Sequence, residues 1–203
     1  MRRLAFYIDF SFSKCALKSF DIMKLRYTYL IEQKFIKEAD QYAEVSKAFT
    51  SNRHDFHEGG LNNKKRKMFE GKLGEKAVKM FFLDNNISFL EDNSPHYQRD
   101  EYDFMLIKKN QKITIDVKTR TENFHIRTLE MVEQAKNHPK DIFISVRLFK
   151  GKYKVKLLGW FTYKDMITKN QIENQGYLDN YVMYDKDLRP MEDFDKILSN
   201  FKK

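Results

Sequence analysis

Two runs decide the fold: Tyr102-Asp103-Phe104-Met105-Leu106-Ile107 and, after the polar link Lys108-Lys109-Asn110-Gln111, Lys112-Ile113-Thr114-Ile115-Asp116-Val117-Lys118. Both are short and largely apolar, and the second alternates, so together they predict a β-hairpin. Alternation puts Ile113, Ile115 and Val117 on one face and Asp116 with Lys118 on the other. Each run carries one carboxylate in apolar company, which is costly in the ionised state unless it is paired or bound to a metal. The hairpin returns Asp103 alongside Asp116. Two carboxylates that close stay ionised together only with a cation between them. Oxygen ligands suit a hard ion such as Mg²⁺, and Lys118 is spaced to hold or help deprotonate a metal-bound water.

Upstream, Met68 to Leu83 predicts a helix with Phe69, Leu73, Ala77, Met80 and Phe81 on one stripe. Glu75 lies on a second stripe with Gly71, Val78 and Phe82, and is the fourth candidate site residue. Gly71 and Gly74 each cost such a helix roughly 1 kcal/mol against Ala, which points to close backbone approach. Asn85-Asn86 stops the helix, Ile87–Leu90 is a short strand, and Asn93-Ser94-Pro95 is a turn. Downstream, Arg127 to Asn137 predicts a helix ending before Pro139, and Ile142 to Phe149 a strand. The connection between Val117 and Ile142 is long enough for a right-handed crossover to a parallel neighbour. Tyr153–Trp160 is a further strand, and a tail follows with helices near Tyr163–Thr168 and Met191–Phe201 and a strand near Tyr181–Tyr184. The fold class is therefore α/β, a mixed central sheet with a helix–strand–strand–strand–helix–strand core in residues 61–203 and an α+β tail. Residues 1–60 read as a mainly helical N-terminal extension, with Ser19–Ala48 as its helical block and Ser51–Gly60 as a loop.

The chain of 203 residues has 38 Lys+Arg against 29 Asp+Glu, a formal charge of +9. A pI near 9.4 favours polyanions, of which nucleic acid is the best match. Lys64-Lys65-Arg66-Lys67 is the dense basic run, and Lys108-Lys109, Arg120 and Arg127 ring the hairpin as candidate phosphate contacts. One cysteine excludes a disulfide framework and a thiolate-rich zinc module. A hydrophobic content of 41% with 15% aromatics excludes a disordered chain. No apolar run approaches the roughly 18 residues of a membrane span. At the start, Asp9 interrupts MRRLAFYIDFSFS and no small-residue cleavage site follows, so a soluble cytoplasmic protein is expected. His54 and His57 fall short of a closed zinc site and read as a polar loop. Cys15 reads as a small buried hydrophobe.

Asp103, the Asp116-Val117-Lys118 triplet thirteen positions on, Gly74-Glu75 on the preceding helix and Gln134 on the following one together resemble the PD-(D/E)XK nuclease superfamily, the restriction-endonuclease-like fold. The resemblance runs from about Met68 to Arg147, and Tyr102 stands where the motif has Pro. It implies an αβββαβ core and a metal-dependent nuclease acting on DNA, of restriction or mobile-element type. It implies Asp103, Asp116, the Val117 carbonyl and Glu75 as the metal site for Mg²⁺ or Mn²⁺, and Glu75, Asp103, Asp116, Lys118 and Gln134 as catalytic residues. Two other readings stay open: a Holliday-junction or other structure-selective resolvase, and a catalytically silent nucleic-acid-binding or assembly protein. Double-strand cutting or junction resolution implies a homodimer, with the Ser19–Ala48 block as a dimer or DNA-binding element.

Overall fold

The hairpin is formed in the computed structural model, which describes residues 26–48, 60–92, 94, 100–174 and 178–202. The strands are β1 (Thr28–Leu30), β2 (Phe89–Glu91), β3 (Phe104–Lys108), β4 (Gln111–Arg120), β5 (Arg127–Met131), β6 (Ile142–Phe149), β7 (Lys154–Thr162), β8 (Ile172–Asn174) and β9 (Asp179–Tyr184). The helices are α1 (Gln33–Ser46), α2 (Gly60–Asp84), α3 (Val132–Asn137), α4 (Tyr163–Lys169) and α5 (Met191–Leu198). Cys15, His54 and His57 lie outside the described residues, as do the first run of the chain and nearly all of the Ser51–Gly60 loop.

A six-stranded mixed sheet in the order β1-β7-β6-β4-β3-β2 forms the centre, and β5-β9-β8 form a second sheet. β3 and β4 pair antiparallel, with Phe104 opposite Ile115. β4 and β6 pair in parallel from Ile115↔Ile142 to Arg120↔Arg147, as the crossover length predicts. Alternation sorts the side chains of both strands into two layers. Ile115, Ile142, Ile144 and Val146 join the larger core with Leu73, Ala77 and Val78 of α2, Phe35 and Ala39 of α1, and Phe194 of α5. Phe143 belongs instead to a smaller core on the other face, with Ala135, Phe161, Met166, Tyr181 and Met183. Asp116 is paired in register with Phe143, so its face is the one covered by the second sheet.

Three expectations need correction. The helix expected over Arg127–Asn137 is a helix only from Val132; Arg127–Met131 is a strand paired with β9. Its buried residues are Thr128 and Glu130, and Thr128 Oγ1 shares a 2.8 Å hydrogen bond with Ser145 Oγ. Within Ser19–Ala48, the described part begins with an edge strand on β7, because Tyr27 and Tyr29 alternate inward and the Tyr27 carbonyl accepts from Leu157 N–H. α2 starts near Gly60 and not near Met68, so Lys64–Lys67 lie on a helix. It ends as expected, with Asn86 in the left-handed region (φ 55°) and Asn85 Nδ2 donating to the Phe81 carbonyl at 2.8 Å.

α4 shows how a short helix is held. Asp165 and Thr162 form a reciprocal capping box, and Arg189 adds two contacts to the Asp165 carboxylate at 2.7 and 2.9 Å. Burial opposes the Asp165 charge, but Arg189 and the Thr162 donors outweigh it and hold the carboxyl below its usual range. Asp165→Ala is expected to cost about 1–2 kcal/mol, read as a lower denaturation midpoint. Because this carboxyl is depressed in the folded state, the contribution is present above the ordinary carboxylate range and is lost as pH falls through the depressed value.

Candidate active site

The site begins where β3 leaves β4. Asp103 N–H donates to the Ile115 carbonyl at 3.0 Å, and its Oδ2 accepts from Val117 N–H at 2.6 Å. The carboxylate thus stands in for a backbone partner at the fork, which fixes it beside Asp116-Val117-Lys118. Burial first, then the charges of Glu75 and Asp116, push the Asp103 carboxyl well above the ordinary carboxylate range, against the pull of Lys72 and Val117 N–H. Glu75 is likewise raised, burial outweighing its attraction to Lys72.

Lys118 is clamped on the second-sheet side. Its Nζ lies 2.8 Å from Asp116 Oδ2 and is paired with Glu130 Oε2 of β5, above the Phe143 ring. Desolvation works against this charge, yet Asp116 and Glu130 hold the ammonium above its ordinary value. Asp116 Oδ2 is buried, with the Lys118 ammonium as its close partner.

Glu75 approaches from α2. Its backbone neighbour Gly74 is pressed on β4: a Cβ there would sit 2.0 Å from Thr119 Oγ1 and 2.9 Å from Val146 Cγ2. Around Gly71 the equivalent space is open, although its carbonyl accepts from Thr119 Oγ1 at 3.3 Å. The expected close approach therefore holds for Gly74, while Gly71 contributes its carbonyl.

The structure brings Glu75, Asp103, Asp116 and Lys118 into one electrostatic neighbourhood and adds Lys72, Asp100 and Glu130 to it. Gln134 is half-buried on α3, and the residue of the crossover that reaches Lys118 is Glu130, four positions earlier. Arg120 is buried and spent on Asp185 and the His125 carbonyl, bracing the β4–β5 loop. Lys65 pairs with Asp40 and Glu44 of α1, Arg66 with Glu70, and Arg127 with Glu173. Lys64 and Lys67 lie half-buried on the same first turns of α2.

Among the described residues, no three His, Cys, Asp or Glu side chains form a ready metal cage. The donor chemistry nevertheless fits a hard ion with part of its shell left to water, because the acidic side chains of Asp103, Asp116 and Glu75 offer oxygen only. Five carboxylates (Glu75, Asp100, Asp103, Asp116, Glu130) face three ammonium groups (Lys72, Lys76, Lys118), an excess of negative charge that a divalent ion would offset. No described helix is long and apolar enough to cross a membrane. The sequence matches no protein-family model and no curated protein.

Proposed function

We propose that the chain is a metal-dependent nuclease that hydrolyses DNA phosphodiester bonds, an endonuclease on the PD-(D/E)XK fold. The observation that carries this reading is the Asp103 carboxylate fixed at the hairpin fork by Val117 N–H, with Lys118 held 2.8 Å from the neighbouring Asp116. The order α2-β2-β3-β4-α3-β6, interrupted by β5, and the parallel β4–β6 pair support it.

Asp103, Asp116 and the Val117 carbonyl would hold Mg²⁺ or Mn²⁺. When bound, the ion supplies a nucleophilic water and offsets charge that builds on the phosphate. Val117 N–H fixes Asp103 through Oδ2, so its carboxylate would be held ready for an ion at the fork. Lys118, kept charged by Asp116 and Glu130, orients the attacking water and stabilises the anionic transition state. Gln134 on α3 and the basic start of α2, Lys64 to Lys67, with Arg127, are the remaining candidates for contact with the strand. Arg120 is a brace and takes no phosphate in this reading. By the family resemblance, products carry 5′-phosphate and 3′-hydroxyl ends, and a homodimer cuts both strands.

Incubating the chain with linear, supercoiled, single-stranded and four-way-junction DNA, in Mg²⁺ and in EDTA, tests the reading. Cleavage of duplex in Mg²⁺ alone is expected. Cleavage confined to junctions replaces it with a structure-selective resolvase, and binding without hydrolysis replaces it with a silent nucleic-acid-binding protein.

A further inference from the structure

Lys72 stands outside the motif, yet it is held from three directions. Its Nζ lies 2.7 Å from Glu75 Oε2, 3.6 Å from Asp100 Oδ2 and 4.2 Å from the centre of the Tyr42 ring. The Tyr42 hydroxyl donates to Asp100 at 3.4 Å, which ties α1 to the segment before β3 across the lysine. The Lys72 and Glu75 side chains are only 15% and 19% exposed. An ammonium enclosed by two carboxylates and an aromatic face is a fixed charge of the site and not a mobile surface lysine.

Resting on the nuclease reading, we propose that Lys72 is the resident cation on the Glu75 side, so that the chain takes a single divalent ion at Asp103 and Asp116 and Glu75 ligates no metal. Glu75 Oε2 is already paired with a full positive charge. A second divalent ion at Glu75 would meet that charge within a few ångströms, in an enclosed setting where repulsion is poorly screened. Glu75 then acts through Lys72: it keeps the ammonium in place, and it tunes Asp103 electrostatically without touching the ion. α1, through Tyr42, becomes part of the site's architecture.

The test counts Mn²⁺ bound to the full chain, without DNA, by titration calorimetry and by the spin-resonance signal of free Mn²⁺. One ion per chain is expected. Glu75→Gln is expected to leave that count at one, and Asp116→Ala to weaken the binding by about tenfold or more. Two ions in the unsubstituted chain, or loss of the single ion in Glu75→Gln, overturns the role of Lys72 and leaves the nuclease reading standing. Binding that ignores Asp116→Ala, or no binding, overturns the nuclease reading itself. The count in the unsubstituted chain depends on no variant folding.

Discussion

Asp103→Asn is expected to yield a protein with no Mg²⁺-dependent cleavage that, in EDTA, melts above the unsubstituted chain. The amide is isosteric and its oxygen can still accept from Val117 N–H, so the fork keeps its backbone partner. What disappears is a charge that burial and the neighbouring Glu75 and Asp116 make unfavourable. Removing it is expected to stabilise the fold by about 1–2 kcal/mol, or roughly 2–8 °C for a domain of this size. A carboxyl raised in the folded state costs stability wherever it is ionised. The gap between variant and unsubstituted chain is therefore widest above the raised value and closes as pH falls from it into the ordinary carboxylate range. Mg²⁺ at a hundred times its dissociation constant should stabilise the unsubstituted chain by about 2.7 kcal/mol and the variant much less. Asp116→Ala is the companion: cleavage of plasmid is lost while DNA binding largely persists. Undiminished cutting by that variant removes the catalytic assignment, and a lower melting point for Asp103→Asn would show that the carboxylate is a structural strut.

Gly74→Val gives the second large effect. Even the first added carbon meets Thr119 Oγ1 and Val146 Cγ2 inside contact distance, and the Val146 side is packed core. Thr119 could rotate only by giving up its bond to the Gly71 carbonyl. Overpacking of this kind costs about 1–3 kcal/mol. The helix relieves it by lifting from β4, and Lys72 and Glu75 flank the point of contact. Loss of activity beyond the loss of stability is therefore expected, measured as cleavage rate at a temperature where the variant is still folded. Gly71→Ala is the control. With open space around it, the substitution should stabilise α2 by up to about 1 kcal/mol. Equal melting points for the two variants would contradict the packing.

The hairpin was legible because its burial follows the ordinary rule, apolar side chains inward at every second residue, as Ile115 shows against α2. β5 was not, because it inverts that rule. In Arg127-Thr128-Leu129-Glu130-Met131 the buried residues are the polar ones, satisfied by Ser145 and Lys118, while Leu129 and Met131 are half-buried. Leu, Glu and Met favour a helix when judged alone, and pairing with β9 overrides that preference. Glu130 was hidden with it, since its role depends on a strand that local sequence does not announce. Lys72 was hidden for the opposite reason. A Lys three residues before a Glu on a helix is ordinary surface decoration, and only the Tyr42 ring and Asp100 make it an interior charge. Asp103, Asp116 and Lys118 could be read because a charge inside an apolar run is conspicuous wherever the run folds.

The antiparallel union of Arg127–Met131 with Asp179–Tyr184 has a consequence for biogenesis. Lys118 is anchored by a carboxylate on a strand whose paired neighbour among the described residues, β9, is made some fifty residues later on the ribosome. Asp103 and Asp116 can meet as soon as the hairpin has emerged, but the Lys118 ammonium acquires its second tether, Glu130, only after β9 has paired with β5. A nascent chain would thus pass through an interval in which Lys118 has Asp116 beside it but lacks the tether to Glu130 that the β5–β9 pair holds in place.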